Sequence, residues 1–132
     1  MINTVEQFGR NAGKIWEALD QCGPMTEEQL METTSLRDFE VHAAVGWLAR
    51  ENKISRDGNV LKLDNTNLTE PIGSAAGKIW DLLHSQGEVE LSQVSKLVNI
   101  ENSQTFSALG WLAREDKIQF KKADKNDMST QK

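Results

Sequence analysis

Apolar residues recur at helical spacing three times in each half of the chain, in the same order both times. Ala12, Ile15, Trp16 and Leu19 stand at i, i+3, i+4 and i+7, which predicts a helix from Asn11, capped by that residue and stopped at Gly23-Pro24. The stripe returns as Ala76, Ile79, Trp80 and Leu83, behind Ser74 and ahead of Gly87. Upstream, Thr4-Val-Glu-Gln7 has capping-box spacing among Ile2, Val5 and Phe8, so a short helical lead-in is expected there. A single apolar residue then follows each first helix, Met25 or Val89, and suits a very short strand. Thr26-Glu-Glu-Gln29 opens a short second helix that buries Leu30; the equivalent stretch from Glu90 buries Val94, Leu97 and Val98. Asp38 and Asn102 are the expected caps of a third helix, with Val41, Val45 and Leu48 as the core stripe of the first copy.

After the third helix the pattern changes to that of strands. Lys53 to Arg56 and Asn59 to Leu63 flank Asp57-Gly58, a pair that tolerates the positive φ of a hairpin turn. The second half starts the same hairpin at Lys117 to Lys122 but then offers no glycine turn and no apolar return strand, so a truncated wing and a polar, disordered tail over 123–132 are expected. Between the halves, NTNLTEPIG at 65–73 reads as a linker in which Pro71 keeps the helix from starting early. The expected boundaries are 1–64 for the first unit, 65–73 for the linker, 74–122 for the second unit and 123–132 for the tail.

The halves are copies. AAVGWLARENKI at 43–54 is answered by SALGWLAREDKI at 107–118, and about eighteen identities fall in roughly fifty ungapped pairs. Helix, short strand, two helices and a hairpin, in that order, describe a winged helix-turn-helix unit. The fold class is therefore α+β, mainly helical, with two such units in tandem. GKIW at 13–16 and 77–80, with GWLARE at 46–51 and 110–115, resembles a family of small winged helix-turn-helix proteins known as a domain of unknown function. That resemblance implies the fold and a nominal relation to DNA-binding domains. It brings no catalytic or ligand residues with it.

Composition narrows the function classes. Hydrophobic residues make up 38% and charged residues 27% of the 132, a globular balance, and no apolar run approaches the roughly 18 residues of a membrane span. The amino terminus lacks a basic and then apolar signal region, and the one cysteine, Cys22, excludes an internal disulfide. A cytoplasmic protein without membrane contact is expected. A net charge of −5 argues against indiscriminate coating of nucleic acid and leaves room for a local basic patch. No phosphate loop, nucleophile triad or metal-ligand spacing is present, and Cys22, His42 and His84 each occur in one copy only. No enzyme, cofactor, metal or small-molecule substrate is expected.

Two binding readings remain. Arg50, Lys53, Arg56 and Lys62 cluster at the end of the third helix and on the wing, and Arg114, Lys117, Lys121 and Lys122 stand in the corresponding place. They are candidate phosphate contacts, with Asn102 and Gln104 at the start of the second copy's third helix as candidate base readers. The competing assignment for the basic set is ion pairing with Glu51, Glu115 or carboxylates of another helix. On that reading the protein is a DNA-associated regulator by fold analogy. The second reading rests on the opposite face of the third helix, where 100° per residue brings together Phe39, Ala43 and Gly46, or Ser107 and Gly110. Glycine inside a helix costs about 1 kcal/mol relative to alanine, so its presence in both copies suggests close backbone access. The strip then packs on the other copy's third helix about a pseudo-twofold axis, or on a partner chain, making a protein-interaction or self-assembling adaptor. Alternatively the glycines admit a bulky side chain from their own unit. The four tryptophans, at one helical phase in both copies, are expected in the core.

Overall fold

The computed structural model describes residues 5–123 and 126–132. The first unit runs α1 (Val5–Cys22), β1 (Met25–Thr26), α2 (Glu27–Thr34), α3 (Asp38–Arg50), β2 (Ile54–Asp57) and β3 (Val60–Leu63). The second repeats the order as α4 (Thr69–Gln86), β4 (Glu88–Glu90), α5 (Leu91–Val98), α6 (Asn102–Arg114), β5 (Ile118–Ala123) and β6 (Asn126–Gln131). Each unit closes with a three-stranded antiparallel sheet in which the last strand is central, in the orders β1-β3-β2 and β4-β6-β5.

Both first helices start earlier than the apolar stripe predicts. α1 is continuous from Val5, and Phe8 in its extension is buried; Thr4 of the expected capping box lies outside the described residues. α4 begins at Thr69 and contains Pro71. The expectation that Pro71 bars helix ahead of Ser74 is thus corrected: it is the third residue of the helix, where an N–H would have no intrahelical acceptor anyway. The third helices start as expected, but the caps lie one residue earlier. The backbone N–H groups of Arg37 and Glu101 donate to the side chains of Glu40 (2.9 Å) and Gln104 (3.3 Å), so Asp38 and Asn102 are the first helical residues. α2 carries a full capping box, Thr26 Oγ1 accepting from Gln29 N–H at 3.1 Å and Gln29 Oε1 from Thr26 N–H at 2.9 Å.

The second wing is not truncated, and residues 126–131 are not a disordered tail. β6 pairs with β5 from Ile118↔Gln131 to Ala123↔Asn126, and with β4 through Val89↔Ser129. Its sequence, NDMSTQ, hides the strand because the inward residue is Ser129 instead of an aliphatic one. Ser129 is fully buried, its Oγ donates to the carbonyl of Val89 at 3.1 Å, and it lies opposite Phe120. In the first wing Leu61 holds that place, facing Met25 and Arg56. The large apolar residue sits on the central strand in the first wing and on its neighbour in the second, and backbone pairing does the rest. The first wing turns at Gly58, which has φ of 63° as the hairpin requires.

The hydrophobic core is divided in two, and each unit lends a residue to the other. Phe8 of α1 packs in the cluster built on Ile79, Leu109 and Ile118, while Ile72 of α4 packs in the cluster of Ile15, Leu48 and Ile54. α3 and α6 lie at the centre. Ala43, Ala44, Val45, Gly46, Leu48 and Ala49 are all buried, as are Phe106 through Gly110, so neither helix keeps an outward face along its middle. The tryptophans divide. Trp47 and Trp111 are partly buried against both clusters and Trp80 against one, whereas Trp16 is 40% exposed. The expectation of four core tryptophans is corrected at Trp16, which lies on the solvent edge of its helical stripe.

Candidate functional site

Gly46 and Gly110 sit where α3 and α6 cross. A Cβ on Gly46 would overlap the carbonyl oxygen of Ser107, and one on Gly110 would overlap that of Ala43. Since Ser107 and Ala43 are equivalent positions of the two copies, the contact is reciprocal, as a twofold axis demands. Phe39, at the outer end of the same strip, stacks at 5.2 Å on Phe106. The small-residue strip is thus the seam between the units. At its far end Arg50 Nε donates to Glu115 Oε2 at 3.1 Å and Arg114 Nε to Glu51 Oε2 at 3.0 Å. The same guanidinium groups lie over Trp111 and Trp47, 5.7 and 5.8 Å from the ring centroids.

The other basic residues on the described wings also have carboxylate neighbours. Lys53 is 3.7 Å from Glu51, Lys117 3.6 Å from Glu115, and Lys62 4.0 Å from Asp64. Lys121 pairs with Glu88, and Arg56 donates to Glu27 at 2.6 Å. Lys122 lies in β5, with its side chain outside the described residues. Asn102 is exposed at the start of α6, and the Gln104 side chain accepts the N–H of Glu101. Apart from Lys122, the candidate phosphate contacts are therefore distributed over both wings and the seam, each beside an acid.

Two further surfaces come from residues that sequence reasoning assigned to the core or left unassigned. A shallow cleft of about 290 Å³ lies between α1 and the end of α3, with Gly13, Trp16, Trp47 and Lys53 on its walls. Its counterpart in the second unit, about 280 Å³, is walled by Gly77, Trp80, Trp111 and Lys117. Among the described residues, a side chain at Gly13 or Gly77 would meet nothing within 4 Å of its Cβ, so no internal contact accounts for glycine in mid-helix there. The second surface is a cavity of about 530 Å³ between the units, where α3 and β2 of the first face α4 and α6 of the second. On its wall Arg56 Nη2 meets Glu27 Oε1, and His42 Nε2 lies 3.7 Å from Glu27 Oε2. The linker fixes this wall: Asn67 accepts the N–H of Arg56 at 3.0 Å and donates to its carbonyl at 2.7 Å. The available sequence signal was that His42, Glu27 and Arg56 have no counterpart in the second copy.

Comparison with known proteins agrees with this architecture. The family described as Winged helix-turn-helix domain (DUF2582) matches residues 3–65 and again 63–130. The chain belongs to this family. An uncharacterized protein of Methanocaldococcus jannaschii is 53% identical over 57 residues, 41% of this chain and 80% of that protein. It is accordingly about the size of one DUF2582 unit. No solved structure matches the chain. The family is one of unknown function and indicates no enzyme class. Among the described residues of this tandem DUF2582 chain, no helix is long and apolar enough to cross a membrane, and no group of three or more His, Cys, Asp or Glu is placed to hold a metal ion.

Proposed function

We propose that this chain is a non-catalytic adaptor that docks a protein partner on its paired tryptophan clefts. The observation that carries the reading is the seam. A winged helix that reads duplex DNA lays its third helix in the major groove, and here both third helices are packed on each other at Gly46 and Gly110. A net charge of −5 and the acid beside each described wing cation support the same reading. The clefts supply the docking surface: both copies retain the glycine, the two tryptophans, the Glu and the Lys, and Trp16 is exposed. Exposed tryptophan is enriched at protein interfaces, where it supplies large area at low entropic cost.

The DNA reading rests on the fold's relation to DNA-binding domains and on wing lysines about half exposed, such as Lys53 at 51% and Lys121 at 52%. Two measurements decide between them. In a fluorescence titration with random duplex at about 50 mM salt, the adaptor shows no saturable binding. From nuclease-treated native extract it retains a specific protein, and Trp16→Glu weakens that retention without loss of helical signal. Duplex binding that weakens steeply with salt, and that falls when Lys53 and Arg56 are neutralised together, overturns the adaptor in favour of the DNA-associated regulator.

A further inference from the structure

The pseudo-twofold axis predicts two equal corners, one on each side of the α3–α6 seam, and the described residues fill only one of them. In the filled corner Phe8 stacks on Phe120 at 5.0 Å and Phe39 on Phe106 at 5.2 Å, with Leu91 packed against the same cluster. The equivalent positions in the other corner are Ile72, Arg56, Ser103, His42 and Glu27, and they line the cavity of about 530 Å³. Two of the four rings and the leucine have become ionisable groups, a third ring has become a serine and the fourth an isoleucine. The fold does not need that change. Replacing charged groups in partly dry sites by apolar ones is commonly neutral or stabilising, and the filled corner is an apolar solution to the same geometry in the same chain.

We infer that the open corner is a binding site for a small zwitterion that carries an apolar group, of the kind an aliphatic α-amino acid represents. The volume lies in the range of small-ligand sites. Arg56 Nη2 donates to Glu27 Oε1 at 2.6 Å and His42 Nε2 lies 3.7 Å from Glu27 Oε2, with the Arg56 and Glu27 side chains 29% and 25% exposed. A ligand therefore meets a guanidinium–carboxylate pair in which the other guanidinium N–H groups stand next to the remaining acceptor capacity of the carboxylate. A lone anion would face Glu27 and a lone cation would face Arg56. A molecule with both charges a short distance apart satisfies each of them, its carboxylate on the guanidinium and its ammonium on the carboxylate. Ser103 and Gln104, in the first turn of α6, add polar contacts at the positive end of that helix, on the side suited to a carboxylate. Val45, Leu68 and Ile72 form the apolar wall against which an aliphatic side chain loses its water. This assignment does not depend on the adaptor reading, whose clefts lie elsewhere on the molecule. It also departs from the sequence-based expectation of no small-molecule ligand, because the residues come from five separate stretches of chain.

The test uses the full chain and three probes of one shape: L-leucine, isovalerate with the carboxylate alone, and isopentylamine with the amine alone. Amide chemical shifts are followed to about 20 mM of each probe. Saturable shifts at Val45, Ile72 and Gln104 are expected with L-leucine, and binding weaker by about tenfold or more with either monopolar probe. Ser103→Phe, which copies the residue of the filled corner, abolishes the L-leucine shifts at an unchanged or raised melting temperature. Arg56→Gln and Glu27→Gln each weaken binding by about tenfold and keep the result readable should the phenylalanine disturb folding. The proposal falls if L-leucine gives no saturable shifts in this corner. It falls equally if isovalerate or isopentylamine binds as tightly as L-leucine, or if both glutamine variants bind it as the parent does.

Discussion

The seam and the wings have drifted apart at different rates within one molecule. In the part of the seam from Ala44 and Ala108 through Glu51 and Glu115 the copies repeat each other almost residue for residue; at the start of the third helices, where Phe39 answers Ser103, and at the wings and in the linker-facing turns they share little. The physical difference is that a residue on a twofold seam is used in two contacts. Gly46 receives the Ser107 carbonyl while Gly110 receives that of Ala43, and Arg50 reaches Glu115 while Arg114 reaches Glu51. A change in one copy leaves its partner misfitted unless the other changes too. Away from the axis, Phe120 meets Phe8 and Arg56 meets Glu27, and each copy answers to its own neighbours.

That contrast orders the consequences of mutation. Gly46→Val or Gly110→Val, which drives a branched side chain into backbone, should cost about 3 kcal/mol or more, measured as the loss of denaturant midpoint. A tolerated valine at either position would mean that the helices do not cross there. Phe8→Ala, which opens the filled corner, should cost about 3 to 4 kcal/mol, and its counterpart Ile72→Ala, beside a cavity that already exists, about 2 kcal/mol. Equal losses from the two would erase the distinction between the corners. Trp16→Ala should cost about 1 kcal/mol or less, since 40% of the residue is already in water, whereas Trp47→Ala, with its ring against Gly9, should cost about 3 kcal/mol. Smallest is Arg50→Ala: its side chain is 46% exposed, and loss of the pair with Glu115 should stay under about 1 kcal/mol. A double-mutant cycle with Glu115→Ala isolates that pair from the contact with Trp111.

Much of this architecture can be read from residue order, and the parts that cannot share a cause. Helical stripes such as Val41, Val45 and Leu48, the capping box at Thr26 and the hairpin turn at Gly58 are local signals that survive without tertiary context. The repeated mid-helix glycine at positions 46 and 110 carried the close approach of two backbones as a cost of secondary structure with no local return. β6 left no such trace, because Ser129 is the small partner of a large Phe120 nine residues earlier in the chain, and the two meet only after the strands pair. The early starts of α1 and α4 depend on Phe8 and Ile72 finding cores in the opposite unit. The open corner was visible only as absence, in residues without a counterpart, and needs the axis to bring them together.

The covalent link between the units has a consequence for how the molecule meets dilution. β3 ends at Leu63 and α4 starts at Thr69, and the few residues between are fastened by Asn52 to Thr66 at 2.8 Å and Asn67 to Arg56. Two separate chains pairing through such a seam obey mass action and come apart when scarce. Joined by so short a tether, the halves experience each other at an effective concentration in the millimolar range or above, whatever the abundance of the protein in the cell. Pairing thereby becomes a property of each molecule, and a few copies present the same two clefts and the same unequal corners as many.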